Sequence, residues 1–326
     1  MNPTELSSRL TWPSEGQAGV YSEEAGFVGT SGAQVPVPVA SIAKVMAAYV
    51  VLRSHPLADG EEGPRIPVDR RAAAESDSDL ESVVRLTEGR MLSQRKLLEL
   101  ALIPSGSNAA RLLARWHSGD ESAFVREMNE AAAALGMTRT AYADVCGIDP
   151  ASRSTSRDQL ELVRAAMEIP AFRAIVARFS TRLRGGGLLC NTNRLLIRPE
   201  VVGIKTGSTT PAGGNILWAV RAGRPGREHL VLGAVLHQKP GAHLAEARAA
   251  ARGASLALIS SLRRELLPPH RGRLGAARYA VRAVRMRILH GTGWLAYQGR
   301  FVWSRSTARI LALRGRPARR PRPMLR

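Results

Sequence analysis

Two short strings, Ser41-Ile-Ala-Lys44 and Lys205-Thr206-Gly207, hold the residue types from which acyl-transfer chemistry is built. A serine hydroxyl is a weak nucleophile at neutral pH and needs a base beside it. A lysine can be that base because, unlike an arginine, it gives up its charge when its surroundings disfavour the ammonium. The chain is sparing with lysine: of 47 basic residues only Lys44, Lys96, Lys205 and Lys239 are Lys, and 43 are Arg. Two of those four lie in strings where a permanently charged guanidinium could not act as a base. A third string, Pro104-Ser105-Gly106-Ser107-Asn108, lies between them. Each residue also has an ordinary reading: Ser41 and Ser105 as helix caps, Lys205 as a solvated lysine on a strand.

The flanking residues say how these groups are held. Val35-Pro-Val-Pro-Val39 is extended, because each Pro keeps its predecessor out of the helical region. Ala40-Ser41 then opens an apolar helix reaching about Arg53. Ser41 therefore sits at a loop-to-helix junction, with a free N–H at the positive end of the helix dipole. Positions i and i+3 share a helix face, which puts the Lys44 amine beside the Ser41 hydroxyl. Helices are expected at about Ser93–Ile103, Ser107–Trp116, Glu121–Leu135 and Arg157–Ile169, so Ser105 falls in the link between the first two.

Strands are expected at Ala18–Ser22 and Ala25–Gly29, and again at Val201–Lys205, Asn215–Arg221 and His229–Leu236. The last three, joined by short Gly-rich turns, read as an antiparallel meander. A helix over His243–Leu267 closes the globular part. The plan is α+β: an antiparallel sheet flanked by helices, with an all-helical subdomain of about 65–180 inserted into it. Residues 1–15 read as a disordered leader, 16–267 as one domain, and 268–326 as an Arg-rich tail.

Of the 326 residues, 44% are hydrophobic and 23% charged, the balance of a globular chain with a full core. The net charge of +20 is concentrated at one end. Glu265 is the last acidic residue, and 15 Arg follow from Arg271 onward; residues 1–265 carry 32 basic and 27 acidic side chains. In the tail, Arg278, Arg282 and Arg285 lie at i, i+4 and i+7, and Tyr279, Trp294, Tyr297, Phe301 and Trp303 are interleaved with the arginines. Basic residues with interfacial aromatics suit an anionic membrane surface or cell-wall polymer. No nucleic-acid-binding fold is recognisable, so no specific nucleic acid is expected. Cys146 and Cys190 form no disulfide framework, and the seven His lack metal-type spacing, so neither metal nor cofactor is expected. The first 19 residues lack the basic and apolar regions of a signal peptide, and no apolar run is long enough to span a membrane.

Ser-x-x-Lys, then Ser-x-Asn, then Lys-Thr-Gly is the motif order of the penicillin-binding proteins and serine β-lactamases. Around these motifs the chain resembles the D-alanyl-D-alanine carboxypeptidase family. The resemblance rests on Pro36-Val-Pro-Val-Ala-Ser-Ile-Ala-Lys-Val-Met46, Leu102-Ile-Pro-Ser-Gly106, Asn191-Thr-Asn193 and Val202-Gly-Ile-Lys-Thr-Gly-Ser-Thr209, and covers about 16–262. It implies a β-lactamase/transpeptidase-like fold. It further implies an acyl-enzyme on Ser41, Lys44 as base, neutralised in part by Lys205 beside it, and Ser105 as proton relay. The substrate would be a peptidoglycan stem peptide ending in D-Ala-D-Ala, and β-lactams would inhibit. Lys205, Thr206 and Thr209 would bind its terminal carboxylate, Gly207 would let its backbone approach, and the N–H groups of Ser41 and Ser208 would form the oxyanion hole. Asn191 and Asn193 read as turn-formers bracing the site. The family works outside the cytoplasm, which is the location the resemblance implies.

One position departs from the pattern. Where the family has Asn at the third place of the middle motif, this chain has Ser107, followed by Asn108. Either the Ser107 hydroxyl replaces the amide as a substrate contact or Asn108 reaches in; successive helical residues diverge by about 100°, so both cannot. Two alternatives stay beside the peptidase. One is a β-lactamase-like hydrolase, against which stands the lack of a Glu-x-x-x-Asn string between Ser105 and Lys205. The other is a catalytically weak penicillin-binding homologue acting through its basic tail.

Overall fold

The computed structural model describes residues 2–185, 187–224 and 226–266; the tail, and the contacts expected of it, lie outside the described residues. The chain opens with helix α1 (Pro3–Ser8) and the hairpin β1 (Gln17–Ser22) and β2 (Gly26–Ser31). After strand β3 (Val37–Pro38) and a 3-10 turn (Ala40–Ile42) comes α2 (Ala43–Ser54). The inserted block holds β4 (Arg65–Pro67), α3 (Arg70–Ala74), β5 (Met91–Ser93), α4 (Gln94–Leu102), α5 (Ser107–Ser118) and α6 (Glu121–Ala134). It ends with β6 (Arg153–Ser154), α7 (Ser156–Glu168), α8 (Pro170–Val176), β7 (Ser180–Leu183) and β8 (Gly187–Cys190). Strands β9 (Val201–Thr209), β10 (Gly213–Arg224) and β11 (Arg227–Gln238) and helix α9 (Leu244–Leu266) complete the fold.

The main sheet is antiparallel with order β2-β1-β11-β10-β9. Away from edge strand β2, which is partly exposed, its strands are mostly buried, and their side chains divide between the two faces by the period of two. On β10, Leu217 and Ala219 join the core under the inserted helices, whereas Ile216, Trp218 and Val220 join the core under α9. Three layers result: inserted helices, sheet, and α9 with α1. The expected α+β plan, its meander and its terminal helix are all present, with strands a few residues longer than read.

The expected disordered leader is corrected. Asn2 caps α1 through the Thr4 N–H (2.8 Å) and Pro3 occupies its first turn. Leu6 and Leu10, one turn apart, are buried in the outer core, and the Thr11 N–H donates to Ser261 Oγ of α9 (3.0 Å). Two apolar residues at helical spacing thus anchor a segment that reads as polar overall. The β7–β8 hairpin and α8 were not read from the sequence either. Both are short, and α8 starts at Pro170, directly after the expected helix end at Ile169.

Candidate active site

Ser41 sits in the 3-10 turn just before α2, and three contacts fix that turn. Ala40 takes a positive φ of 50°. Gly147 packs so tightly on it that a Cβ would lie 2.0 Å from the Ala40 carbonyl oxygen. From β10, the Asn215 amide donates to the Pro38 (3.1 Å) and Val39 (2.8 Å) carbonyls and accepts from the His237 N–H (2.7 Å). The Ser41 hydroxyl is not a cap: neither the turn nor α2 has a side-chain cap. Lys44 Nζ lies 2.9 Å from Ser41 Oγ instead, as the i,i+3 spacing requires.

The third motif is delivered by β9, which forms an open edge of the sheet. At Gly207 the strand crosses the start of the catalytic turn. A Cβ there would stand 2.8 Å from the Ser41 amide nitrogen and 2.9 Å from that of Ile42. Gly207 therefore admits the turn itself, a nearer neighbour than the substrate backbone expected there. Lys205 is wholly buried, not a solvated strand residue, and its Nζ donates to the Thr206 carbonyl (3.0 Å). Thr206 Oγ1 donates to Thr192 Oγ1 (2.8 Å), and the Thr192 N–H donates to the Ile103 carbonyl (3.1 Å). Thr192 thus ties the third motif to the link carrying the second. Asn191 and Asn193 make the turn around it, accepting from the Asn193 and Leu195 N–H groups. Ser208 and Thr209 are partly exposed at the strand end, where Thr209 Oγ1 accepts from the Ala212 N–H (3.3 Å).

The middle motif divides between site and scaffold. Ser105 has a φ of 69° in the α4–α5 link and is buried there. The cap position of α5 is Gly106, so Ser105 is no cap. Asn108 is corrected as a substrate contact. It is fully buried, accepts from the Val84 N–H (3.1 Å), and donates to the Val84 (2.7 Å) and Ala72 (3.1 Å) carbonyls. The helical turn points it away from the cleft and onto the 72–84 segment. Ser107 Oγ is fully enclosed without a well-formed hydrogen bond, beside the Glu81 carboxylate.

Both lysines have lowered pKa values. For Lys44 burial is the main cause and Arg111 adds to it, while Cys146, Glu81 and Asp144 act in the opposite direction. Lys205 is lowered well below the usual lysine range, first by burial and then by the charge of Lys44. The two cations are coupled in one direction: Lys44 lowers Lys205, whereas Lys205 is not among the causes that lower Lys44, so the help expected from Lys205 in neutralising the base is replaced by burial and Arg111. Glu81 is held by Arg111 in a paired contact of 2.7 and 2.8 Å, and Arg111 also meets Glu75 (3.2 Å). Glu81, Arg111, Thr192 and Asn215 were not read from the sequence as parts of the site. Asn215 did leave a signal, as a lone amide beside the apolar run Ile216-Leu-Trp-Ala-Val220.

Ser41, the buried Lys44 and the Lys-Thr-Gly edge strand stand in one place, and the chain is similar to known proteins. A D-alanyl-D-alanine endopeptidase of Pseudomonas aeruginosa is 37% identical over 137 residues, covering 41% of each chain. A D-alanyl-D-alanine carboxypeptidase of Mycobacterium tuberculosis is 36% identical over 155 residues, 45% of this chain and 52% of that one. The chain thus spans about half the length of these curated relatives. Penicillin-binding protein 6B of Escherichia coli superposes with a TM-score of 0.65 at 27% identity, over 76% of this chain and 78% of that one. A Streptomyces DD-transpeptidase does so with a TM-score of 0.62 over 77% of this chain and 100% of that one; at 24% identity it shows the fold alone. Residues 27–235, which hold all three motifs, match the D-alanyl-D-alanine carboxypeptidase family, and the chain belongs to it.

Proposed function

We propose that this chain is a serine DD-peptidase that removes the terminal D-Ala from peptidoglycan stem peptides through an acyl-enzyme on Ser41. The observation that carries the reading is the 2.9 Å approach of Lys44 Nζ to Ser41 Oγ, with the amine 1% exposed. A desolvated amine favours its neutral form and can take the serine proton as Oγ attacks the carbonyl carbon of the penultimate D-Ala. The developing oxyanion meets the N–H groups of Ser41 and Ser208. Ser105, in the link before α5, passes the proton from Lys44 to the departing D-Ala amine. Water then hydrolyses the ester by the reverse proton path and frees Ser41. The open edge of β9 suits an extended peptide laid against it as an added strand. Lys205, Thr206 and Thr209 would hold the terminal carboxylate. An extracytoplasmic location belongs to the same reading, because peptidoglycan lies outside the cytoplasm; among the described residues, no helix is long and apolar enough to cross a membrane.

A second reading has its own support: two relatives, at 37% and 31% identity, are named endopeptidases. The same acyl chemistry would then cut a cross-link, with a larger leaving group. Labelling with a fluorescent penicillin, wild type against Ser41→Ala, tests the nucleophile. Labelling of both proteins, or of neither, would sink the proposal. Release of free D-Ala from a pentapeptide, set against cleavage of a cross-linked dimer, separates the two activities. Rapid nitrocefin turnover would favour the β-lactamase-like alternative.

A further inference from the structure

A second concave surface lies at the opposite end of α4 from Ser105. The hairpins β4–β5 and β7–β8 and the start of α4 enclose a cavity of about 560 Å³. Arg65, Arg90, Lys96, Arg182 and Arg184 line it, against one carboxylate, Glu62. The imbalance is larger than the count. Among the described residues the four arginines have no acidic partner, and only Lys96 is paired, with Glu99. Glu99 is in turn shared with Arg178 (2.8 Å). Two arginines are held by backbone: Arg90 donates to the Arg184 carbonyl and Arg65 to that of Met91 (3.3 Å). These bonds fix the guanidinium groups without neutralising them. Ser93 caps α4 at the Lys96 N–H (3.1 Å) and donates to Glu62, so the one carboxylate of the lining is held at the helix start and the arginines are left to the rest of the wall.

This charge is placed at a useful distance from the reacting centre. The nine residues of α4 span roughly 13 Å at 1.5 Å each, from the cavity to the link that carries Ser105. Along β8 and its continuation, five residues at about 3.3 Å each lead from Gly187 to Thr192, which grips Thr206. An extended peptide of about five residues covers the same roughly 17 Å. A peptide of that length is long enough to reach from the link that carries Ser105 to the two hairpins.

We infer that the cavity between β4–β5 and β7–β8 is a subsite for carboxylates on the part of the peptide substrate remote from the scissile bond. Guanidinium groups match carboxylates in paired geometry, and Arg182 and Arg184, both exposed at the rim, are free to do so. The subsite rests on the peptidase reading above for the direction of the chain, but its charge does not depend on catalysis.

The test uses the Arg182→Glu, Arg184→Glu double variant, which leaves Ser41, Lys44, Ser105 and Lys205 untouched. Two peptides with the same D-Ala-D-Ala end are compared, one neutral and N-acetylated, one about five residues long with two carboxylates near its N-terminus. Expected is an unchanged rate with benzylpenicillin and with the neutral peptide, and a rise in KM of about 10-fold for the acidic one. The wild-type preference for the acidic peptide should also shrink as salt rises. An equal loss on both peptides, or a preference that survives charge reversal, overturns the proposal. Binding of a fluorescent acidic peptide to Ser41→Ala, followed by anisotropy, reads the subsite without turnover. If penicillin fails to acylate the wild type while this binding persists and charge reversal abolishes it, the peptidase reading fails and the subsite stands. Tighter binding of a polyphosphate of equal charge would overturn the assignment to carboxylates.

Discussion

Gly207 passes so close to Ser41 that a methyl group on it would sit 2.8 Å from the Ser41 amide nitrogen. The contact is backbone against backbone, so no flexible side chain can swing aside. Gly207→Ala must push β9 off the catalytic turn and separate the Ser41 and Ser208 N–H groups. Shifts near 1 Å at a reacting centre cost about 100-fold in rate. Acylation by penicillin should fall by roughly that factor, while overpacking costs about 1–3 kcal/mol of stability. Stopped-flow acylation and thermal melts measure the two effects; a loss of stability alone would remove Gly207 from the placement of the oxyanion hole.

The pH profile of acylation follows from the surroundings of Lys44. Burial and Arg111 lower its pKa, and only the neutral amine can accept the Ser41 proton. Acylation should therefore rise with pH, with its midpoint below the ordinary lysine range. Glu81 acts to keep Lys44 charged, so Glu81→Gln should move the midpoint to lower pH. The sign is the same through Arg111, which loses its paired carboxylate and faces Lys44 uncompensated. A midpoint that stays in place, or moves up, would show that Glu81 has no hold on the base. Stability changes in the matching direction: between the lowered pKa values and the ordinary lysine value the unfolded chain binds more protons than the folded one. Stability thus rises with pH across that window.

Asn215 carries a heavier structural load than its place in a strand suggests. Its amide holds the two residues before Ala40, and its oxygen takes the His237 N–H. Asn215→Ala leaves two carbonyls and one amide buried without partners. At about 1 kcal/mol or more each, the expected loss is roughly 2–4 kcal/mol. The turn would loosen with it, so acylation should slow more than the melting temperature alone accounts for. Equal labelling by penicillin at a temperature where the variant is fully folded would show that Asn215 is structural only.

The sheet and the contact between Ser41 and Lys44 are legible in the sequence for one reason: their signals are local. Apolar runs, Gly-rich turns and the i,i+3 spacing of Ser41 and Lys44 lie within a few residues of each other. What was not legible depends on residues far apart in the chain. Thr192 matters because Ile103 and Thr206 lie on either side of it, and Glu81 because Asn108 draws the 72–84 segment onto α5. Leu6 and Leu10 looked like isolated apolar residues in a polar leader until α9 supplied the surface they cover. The position of Asn108 was open between two faces of a helix, and its buried partners decided it.

Ser107 is where stability and activity should separate. Its hydroxyl is enclosed with no well-formed hydrogen bond, beside a carboxylate already paired to Arg111. A buried hydroxyl without a partner destabilises, so Ser107→Ala should leave the melting temperature unchanged or raise stability by up to about 1 kcal/mol. If that hydroxyl is held in reserve for the substrate, the same change should lower kcat/KM on a D-Ala-D-Ala peptide by about 10-fold, the worth of one hydrogen bond. Ser107→Asn, which restores the residue type of the family, then supplies an amide but needs room that an enclosed serine does not leave. It should lose stability by about 1–3 kcal/mol through overpacking. A more stable Ser107→Ala with full activity would assign the position to packing, and leave β9 to hold the D-Ala-D-Ala end without it.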